Sequence, residues 1–324
     1  MIRHANRKGV TQLELLVAVS IIGLLSALGL TAVQQARRTA VRLDCSNRLK
    51  ELGLLSQSWV ATHGEFPNAT IFYITTVELP EVGPAPTGES LSPYGQLLLQ
   101  LGVSSREATR WPEFNAPFRC PADPWSAEGN RANDSNRGSP PNYVFNFGST
   151  SRYRDEADKN GFFRYQQRLT PADITDGQSN TVAMSERLCL KPPLTADLSE
   201  VSYHPGRHLW WTNRRGIPGE GSEQLVIEIC QTGRSSPHPI SSFAAYFNGY
   251  DHLLGPNQPG CFNGPVQYDN PGSISVLPPS SEHPGGVNLL FIDGHVTYIQ
   301  NSIDLQVWRA LGTINGHETL SIEF

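Results

Sequence analysis

The hydrophobic pattern changes character twice along the chain. From Leu15 to Val33 there are 19 residues without a charge. As helix, at about 1.5 Å per residue, that run spans roughly 28 Å, the depth of a bilayer core. Gln34 to Arg42 stays compatible with helix but brings in Arg37, Arg38 and Arg42. Beyond it Val41, Cys45, Leu49, Leu52, Leu55 and Trp59 recur at three- and four-residue spacing, while Asp44, Asn47, Arg48, Lys50 and Glu51 fill the other face. That period predicts an amphipathic helix. One helix over about 12–62 is therefore expected, its first half in a membrane and its second half packed on a folded domain. Gly64 and Phe66-Pro67 end it.

The rest of the chain reads as strands and loops. Residues 63–140 form a loop-rich insertion broken by Pro80, Pro84, Pro86 and Pro93, with a short helix at 92–101. Residues 126–141 are rich in Asn, Arg, Ser and Gly, which predicts a mobile surface loop. Asn142-Tyr-Val-Phe-Asn-Phe-Gly148 predicts the first core strand, and Val182 to Leu188 another. Residues 241–247 suggest a further strand, 257–275 a loop, 308–311 a helical turn and 318–324 a terminal strand. The clearest signal is near the C-terminus. Val287 to Ile292 and His295 to Ile299 flank Asp293-Gly294, a hairpin signal in which both turn residues are expected at positive φ. His283-Pro-Gly285-Gly286 leads in as a tight turn. The fold class expected is α+β: a long N-terminal helix on an antiparallel β-sheet with large loop insertions. The domain boundaries are a leader (1–9), a membrane helix (10–35) and an exported domain (36–324), with the sheet in 141–324.

Composition supports strands and loops over a helical bundle: 29 Gly, 25 Pro and 17% charged residues in 324. The net charge of −5 gives no electrostatic footprint for nucleic acid. Removing a leader with Arg3, Arg7 and Lys8 makes the remainder more acidic still. Those three basic residues, with no acid before Val10, place the N-terminus on the cytoplasmic side. The exported side permits disulfides. Five cysteines occur, and the pairings expected are Cys45–Cys120 and Cys230–Cys261, with Cys189 buried in a strand. No Cys-x-x-Cys occurs, which argues against a thiolate zinc cluster.

Glu14 stands at the front of the apolar run, where a carboxylate is costly and usually functional. Gly9, Val10 and Glu14 followed by the apolar run resemble the signature of type IV pilins and pseudopilins, although Val10 stands where that family usually has Phe. The resemblance implies cleavage between Gly9 and Val10 by a prepilin peptidase, N-methylation of Val10, and an assembly helix from Leu15 onward. Glu14 would then neutralise the new terminal amine in its own chain or in a neighbour, since either charge alone in lipid costs several kcal/mol. A secretory signal peptide is the alternative. Ala27, Ala32 and Ala36 leave it a cleavage site, but an acid at the front of its core is unusual.

A second resemblance covers most of the chain. Cys45-Ser-Asn-Arg-Leu-Lys-Glu-Leu-Gly53-Leu, His63-Gly-Glu-Phe-Pro67, Phe118-Arg-Cys120-Pro-Ala-Asp123, Asp176-Gly-Gln-Ser-Asn-Thr181 with Glu186, and His283 followed after nine residues by Asp293-Gly294 are similar to the prepilin-like family DUF1559. The function implied is a minor subunit of a type II secretion or type IV pilus-like assembly. Its partners would be the prepilin peptidase, other pilin-like or secretion-system subunits and inner-membrane lipid.

Other chemistry is weighed beside it. Asp173, Asp176 and Asn180 offer oxygens for a calcium-like cluster, and a turn satisfying its own backbone explains the same residues. Tyr203 to Trp211 concentrates His204, His208, Trp210 and Trp211, as a core patch, a metal pair or a binding surface for a glycan or protein. His283 and Asp293 invite a hydrolase reading, but the strand between them spans roughly 20 Å. No Gly-x-Ser-x-Gly, Walker loop or His-Glu-x-x-His occurs. Neither an enzyme nor a cofactor is expected.

Overall fold

The computed structural model describes residues 11–67, 93–104, 116–124, 141–150, 160–164, 167–189, 206–207, 209–212, 224–225, 227–228, 236–238, 249–263 and 274–318. The chain divides into two units, Met1–Leu43 and Asp44–Phe324. Helix α1, Gln12–His63, begins in the first and ends in the second.

In the first unit α1 starts where a capping box starts it. Thr11 Oγ1 accepts from the Glu14 backbone N–H at 3.3 Å, and the Glu14 carboxylate accepts in return from Thr11 N at 2.8 Å and Thr11 Oγ1 at 3.0 Å. Two of the donors that every helix N-terminus leaves over are satisfied this way. Every residue from 11 to 40 is exposed, including Leu15, Ile22, Leu24, Leu25, Leu28 and Val33. The helix is long and apolar enough to cross a membrane.

In the second unit the last turns of α1 bury Cys45, Leu49, Leu52 and Gly53. This is the amphipathic face expected, with Leu55 and Trp59 half-buried beside it and Trp59 stacked on His63 at 3.7 Å. Gly64 closes the helix at φ +74°, donating to Val60 O at 2.8 Å. Helix α2, Pro93–Gln100, adds Tyr94, Leu97 and Leu98 to the same core.

The main sheet has strands β1 (Tyr143–Asn146), β2 (Val182–Glu186), β5 (Gly249–Tyr250), β8 (Gly286–Phe291) and β9 (Val296–Gln300). Their order is β5-β1-β2-β8-β9. The pairs β1·β2, β2·β8 and β8·β9 are antiparallel, but β5 runs parallel to β1, so the sheet is mixed. A parallel partner needs a long crossover, and the stretch between β2 and β5 supplies it. A second sheet, ordered β4-β3-β6-β7, holds β3 (Leu209–Thr212), β4 (Ser236–His238), β6 (Gly260–Asn263) and β7 (Ile274–Val276). One of these strands, β6, lies within the stretch 257–275 read as loop, and β7 begins at its end. Gly260-Cys-Phe-Asn263 has no period-two signal and exists as a strand only through its distant partners β3 and β7. A strand at 241–247 lies outside the described residues, as does the loop of 126–140. Glu318 is not in a strand, and 319–324 lie outside.

Both faces of the main sheet are covered, so β1, β2 and β8 are buried at every position. Tyr143, Phe145, Met184 and Leu290 pack with Leu49, Leu52 and Tyr94. Val144, Val182, Val287, Leu289 and Phe291 pack with Trp308 and Leu311, brought by helix α3, Leu305–Ala310. Alternation puts each side chain of β1 and β8 on its face. Asp304 caps α3, accepting from Gln306 N at 2.8 Å and Val307 N at 3.1 Å.

The β8–β9 hairpin forms around Asp293-Gly294 as expected, but with a different turn. Gly294 N–H donates to Phe291 O at 3.0 Å, and Gly294 at φ +94° is the one turn residue at positive φ. The loop thus has three residues and ends in a left-handed glycine, where a two-residue turn would need positive φ at Asp293 too. Gly53 lets α1 reach this turn. A Cβ there would lie 2.7 Å from Leu290 Cδ1 and 3.2 Å from Gly294 Cα. Gln57 Nε2 donates to Ile292 O at the same junction.

Candidate functional site

Gly9 and Val10 lie outside the described residues. Glu14 is exposed, and its carboxylate is occupied by Thr11. The sequence signal for this box, Thr-x-x-Glu before an apolar run, was present in Thr11 to Glu14 but was read only as a charge.

In the second unit the family-motif residues converge on one buried place. Cys45 comes from α1, Cys120 follows the 3-10 turn Ala116–Phe118, Glu186 ends β2 and His283 precedes β8. Cys45 and Cys120 form the expected disulfide. His283 Nε2 lies 3.3 Å from Glu186 Oε1 and 3.8 Å from Cys120 Sγ. Glu186 is held in place: Oε2 accepts from Asn288 N at 3.0 Å and Oε1 from Asn288 Nδ2 at 2.9 Å. All five side chains are buried. Glu186 and Asn288 share the helix-facing side of the sheet because Glu186 pairs with Tyr143 and Asn288 lies two residues before Leu290.

A polar network surrounds this cluster. Asn142 Oδ1 accepts from Cys120 N at 2.9 Å, and Asn142 Nδ2 donates to Asp123 Oδ2 at 2.8 Å and Arg187 O at 2.9 Å. Asp123 also accepts from Cys189 N at 2.7 Å and pairs with Arg207 at 2.9 Å. Arg207 reaches onward to Glu282. Burial pulls the Arg187 guanidinium down to about 10, with Asp251 the main opposing charge. Asp123, Asn142, Arg207 and Asn288 were not picked out from the sequence. Asp123 carried a signal, its place in Cys120-Pro-Ala-Asp123; the others reveal themselves only through partners far along the chain.

The remaining candidates stand apart from this cluster. Asp293 pairs with His295 at 2.6 Å, whereas the His283 ring meets Glu186 and Cys120. Gly285 turns the entry at φ +86°, and a Cβ on Gly286 would overlap Ile299 O. Asp173 bonds Thr170 N at 2.7 Å and Thr170 Oγ1 at 2.8 Å, which holds its carboxyl below its usual range. Asp176 instead accepts from Gly316 N at 2.7 Å and His317 N at 2.9 Å, and Asn180 Nδ2 bonds Asp176 O. The two carboxylates thus accept from separate protein donors, and the Asn180 amide bonds the Asp176 carbonyl. Cys189 is a buried thiol after β2, not within it. Cys261 is disulfide-bonded; Cys230, like His204 and His208, lies outside the described residues. Trp210 and Trp211 fall in β3.

These features define a class: an α+β protein with a disulfide-locked, buried motif cluster and an N-terminal helix apolar enough to span a membrane. The family follows from a profile match over residues 34–306, described as a protein of unknown function (DUF1559), and the chain belongs to that family. No curated protein and no solved structure matches it.

Proposed function

We propose that this chain is a pilin-like or pseudopilin-like subunit, a minor structural component of a type II secretion or type IV pilus-like assembly. Prepilin peptidase cuts it between Gly9 and Val10 and Val10 is methylated. It then sits in the inner membrane by a single span, its N-terminus cytoplasmic and its larger unit outside. Other pilin-like subunits and membrane lipid are its partners.

The observation that carries this reading is the wholly exposed apolar first stretch of α1, with one acid in its first turn. Twelve large hydrophobic side chains between Leu13 and Val33 are exposed. A patch of this extent on a polypeptide surface signals lipid or other helices. In a matured subunit Glu14 would exchange its Thr11 bonds for a terminal amine, its own or a neighbour's. The second unit is closed by its own core.

Two measurements test the proposal. Mass spectrometry of the chain purified from native membranes is expected to show methylated Val10 at the N-terminus, and Gly9→Ala to leave the leader attached. Glu14→Ala is expected to keep membrane insertion but lose crosslinks to neighbouring pilin-like subunits. A native chain beginning at Met1, or unchanged crosslinking in Glu14→Ala, overturns it.

A further inference from the structure

The cluster of Cys45, Cys120, Glu186 and His283 carries an inference that does not depend on assembly or on processing of the N-terminus. Each residue offers one ligand atom, and the four atoms lie within 4.8 Å of one another. We propose that the reduced form of this chain binds one zinc-class divalent cation through the Cys45 and Cys120 thiolates, His283 Nε2 and Glu186 Oε1, and that the disulfide is the metal-free alternative of the same site.

Two of the ligand–ligand edges already have the required dimensions. Tetrahedral zinc with Zn–N near 2.0 Å and Zn–S near 2.3 Å has ligand–ligand edges of about 3.3–3.8 Å. The observed Nε2–Oε1 and Nε2–Sγ separations are 3.3 Å and 3.8 Å. Two sulfurs, one imidazole nitrogen and one carboxylate oxygen are ligand types that zinc takes. None is drawn from a floppy surface: Cys45 and Glu186 are 0% and 1% exposed, Cys120 and His283 both 5%. The surroundings also orient the donors. Both Glu186 oxygens are fixed by Asn288, and the His283 backbone is fixed by Ser281 Oγ at 2.8 Å. Outer partners of this kind preset ligand direction.

The chemistry balances. An external dithiol reduces the Cys45–Cys120 bond, passing two electrons and two protons to the sulfurs and closing to its own disulfide. The cation then displaces both thiol protons to solvent and coordinates the thiolates and the neutral imidazole. In the oxidised chain each sulfur is bonded to the other, and neither is a thiolate ligand. Disulfide and metal therefore exclude each other, and each ties the same segments: α1 at Cys45 and the loop after the Ala116–Phe118 turn directly, with β2 and the entry to β8 added by the metal. The spacing of the cysteines, 75 residues apart, hides this from a search for local knuckles.

The test uses the full-length chain in detergent with cobalt(II) as the probe. The chain is reduced with a dithiol, desalted without oxygen and titrated. Expected is one equivalent of cobalt with thiolate-to-metal charge-transfer absorption and tetrahedral visible bands, displaced by zinc. The untreated, disulfide-bonded chain is expected to show none. This wild-type comparison needs no substitution, so it stands whatever the variants do to folding. The reduced Cys45→Ser/Cys120→Ser double variant is expected to lose the signal, and Asn288→Ala to weaken binding by about 10–100-fold. No cobalt uptake by the reduced wild type overturns the proposal. So does equal uptake by the double variant, which would place the metal on other cysteines.

Discussion

Residues 12–43 and residues 44–63 lie on one helix, yet their apolar side chains have opposite fates. In the first stretch Leu15, Leu24, Leu28 and Val33 are exposed; in the second Cys45, Leu49 and Leu52 are buried. Helix propensity does not separate them, because both stretches form one continuous helix and both contain several Leu. What separates them is periodicity. The second stretch keeps its polar residues on one face, so a sheet can cover the other face and leave the charges in water. From Leu15 to Val33 the first is apolar all round, so no single protein surface can cover that run. A helix of that kind is solvated by lipid or by a bundle of its own kind. One unit closes on itself, and the other is left to its surroundings.

The largest expected effect breaks the closed unit at its edge. Cys45→Ser removes a bond between residues 75 apart, and the loop it frees is worth about 4 kcal/mol by chain entropy. Chemical denaturation of detergent-solubilised chain is expected to show that loss in the second unit. Membrane partition in cell fractionation is expected to stay unchanged. If partition falls with stability, the two units are not independent in the way the helix pattern implies.

Next comes a matched pair of substitutions. Leu24→Arg places a charge in the apolar run at a cost of about 3 kcal/mol for insertion, so the membrane-bound fraction should drop while the denaturation midpoint of the second unit holds. Leu49→Ala should do the reverse, lowering stability by about 2–5 kcal/mol and leaving the membrane fraction intact. Gly53→Val sharpens the contrast at a single position. Its side chain would meet Leu290 and the backbone of Gly294, for a loss of about 1–3 kcal/mol measured by thermal melting. Gly23 and Gly29, on the exposed stretch of the same helix, meet nothing within 4 Å, so the same change there should leave the melt where it is.

How much of this was legible beforehand depended on the range of the interaction. The end of α1 at Gly64, the helix at 93–100, the strands β1 and β2 and the Asp293-Gly294 hairpin are local events, written in period and turn residues. Gly53 was visible as a motif match, but its reason, the close approach of a hairpin turn, was not. The second sheet was missed because β3 and β6 pair in parallel from far apart, with proline on both sides of the strands. The site was half legible. Cys45 and Cys120 were legible as a pair, His283 only by itself, and Glu186 only as a motif residue. Nothing in their spacing says that a helix, a loop, a strand end and a hairpin entry meet at one point. The absence of Cys-x-x-Cys argued against zinc for the same reason, since it tests only ligands adjacent in sequence.

The smallest effect probes the face of the main sheet opposite α1, through acid. His252 is buried between Tyr250 and Trp308, with Nδ1 2.7 Å from Trp308 O and Nε2 2.9 Å from the Tyr250 hydroxyl. Trp308 O only accepts, so Nδ1 carries the proton and Nε2 accepts from Tyr250. Burial holds the imidazole neutral, its pKa lowered from 6.5 to about 3. The unfolded chain takes up this proton as pH falls through 6.5, and the folded chain does so only near 3. Stability contributed here is thus complete above the unfolded value and drains away between the two. The slope is at most about 1.4 kcal/mol per pH unit, or about 2 kcal/mol from about pH 7 to about pH 5. Urea midpoints of the wild type and His252→Gln across that range measure it: the wild type should lose stability more steeply than the variant. Membrane partition should not follow, because residues 12–36 contain no histidine. Parallel slopes would mean that His252 is reached by water and that this face of the sheet is less tightly closed than its packing shows.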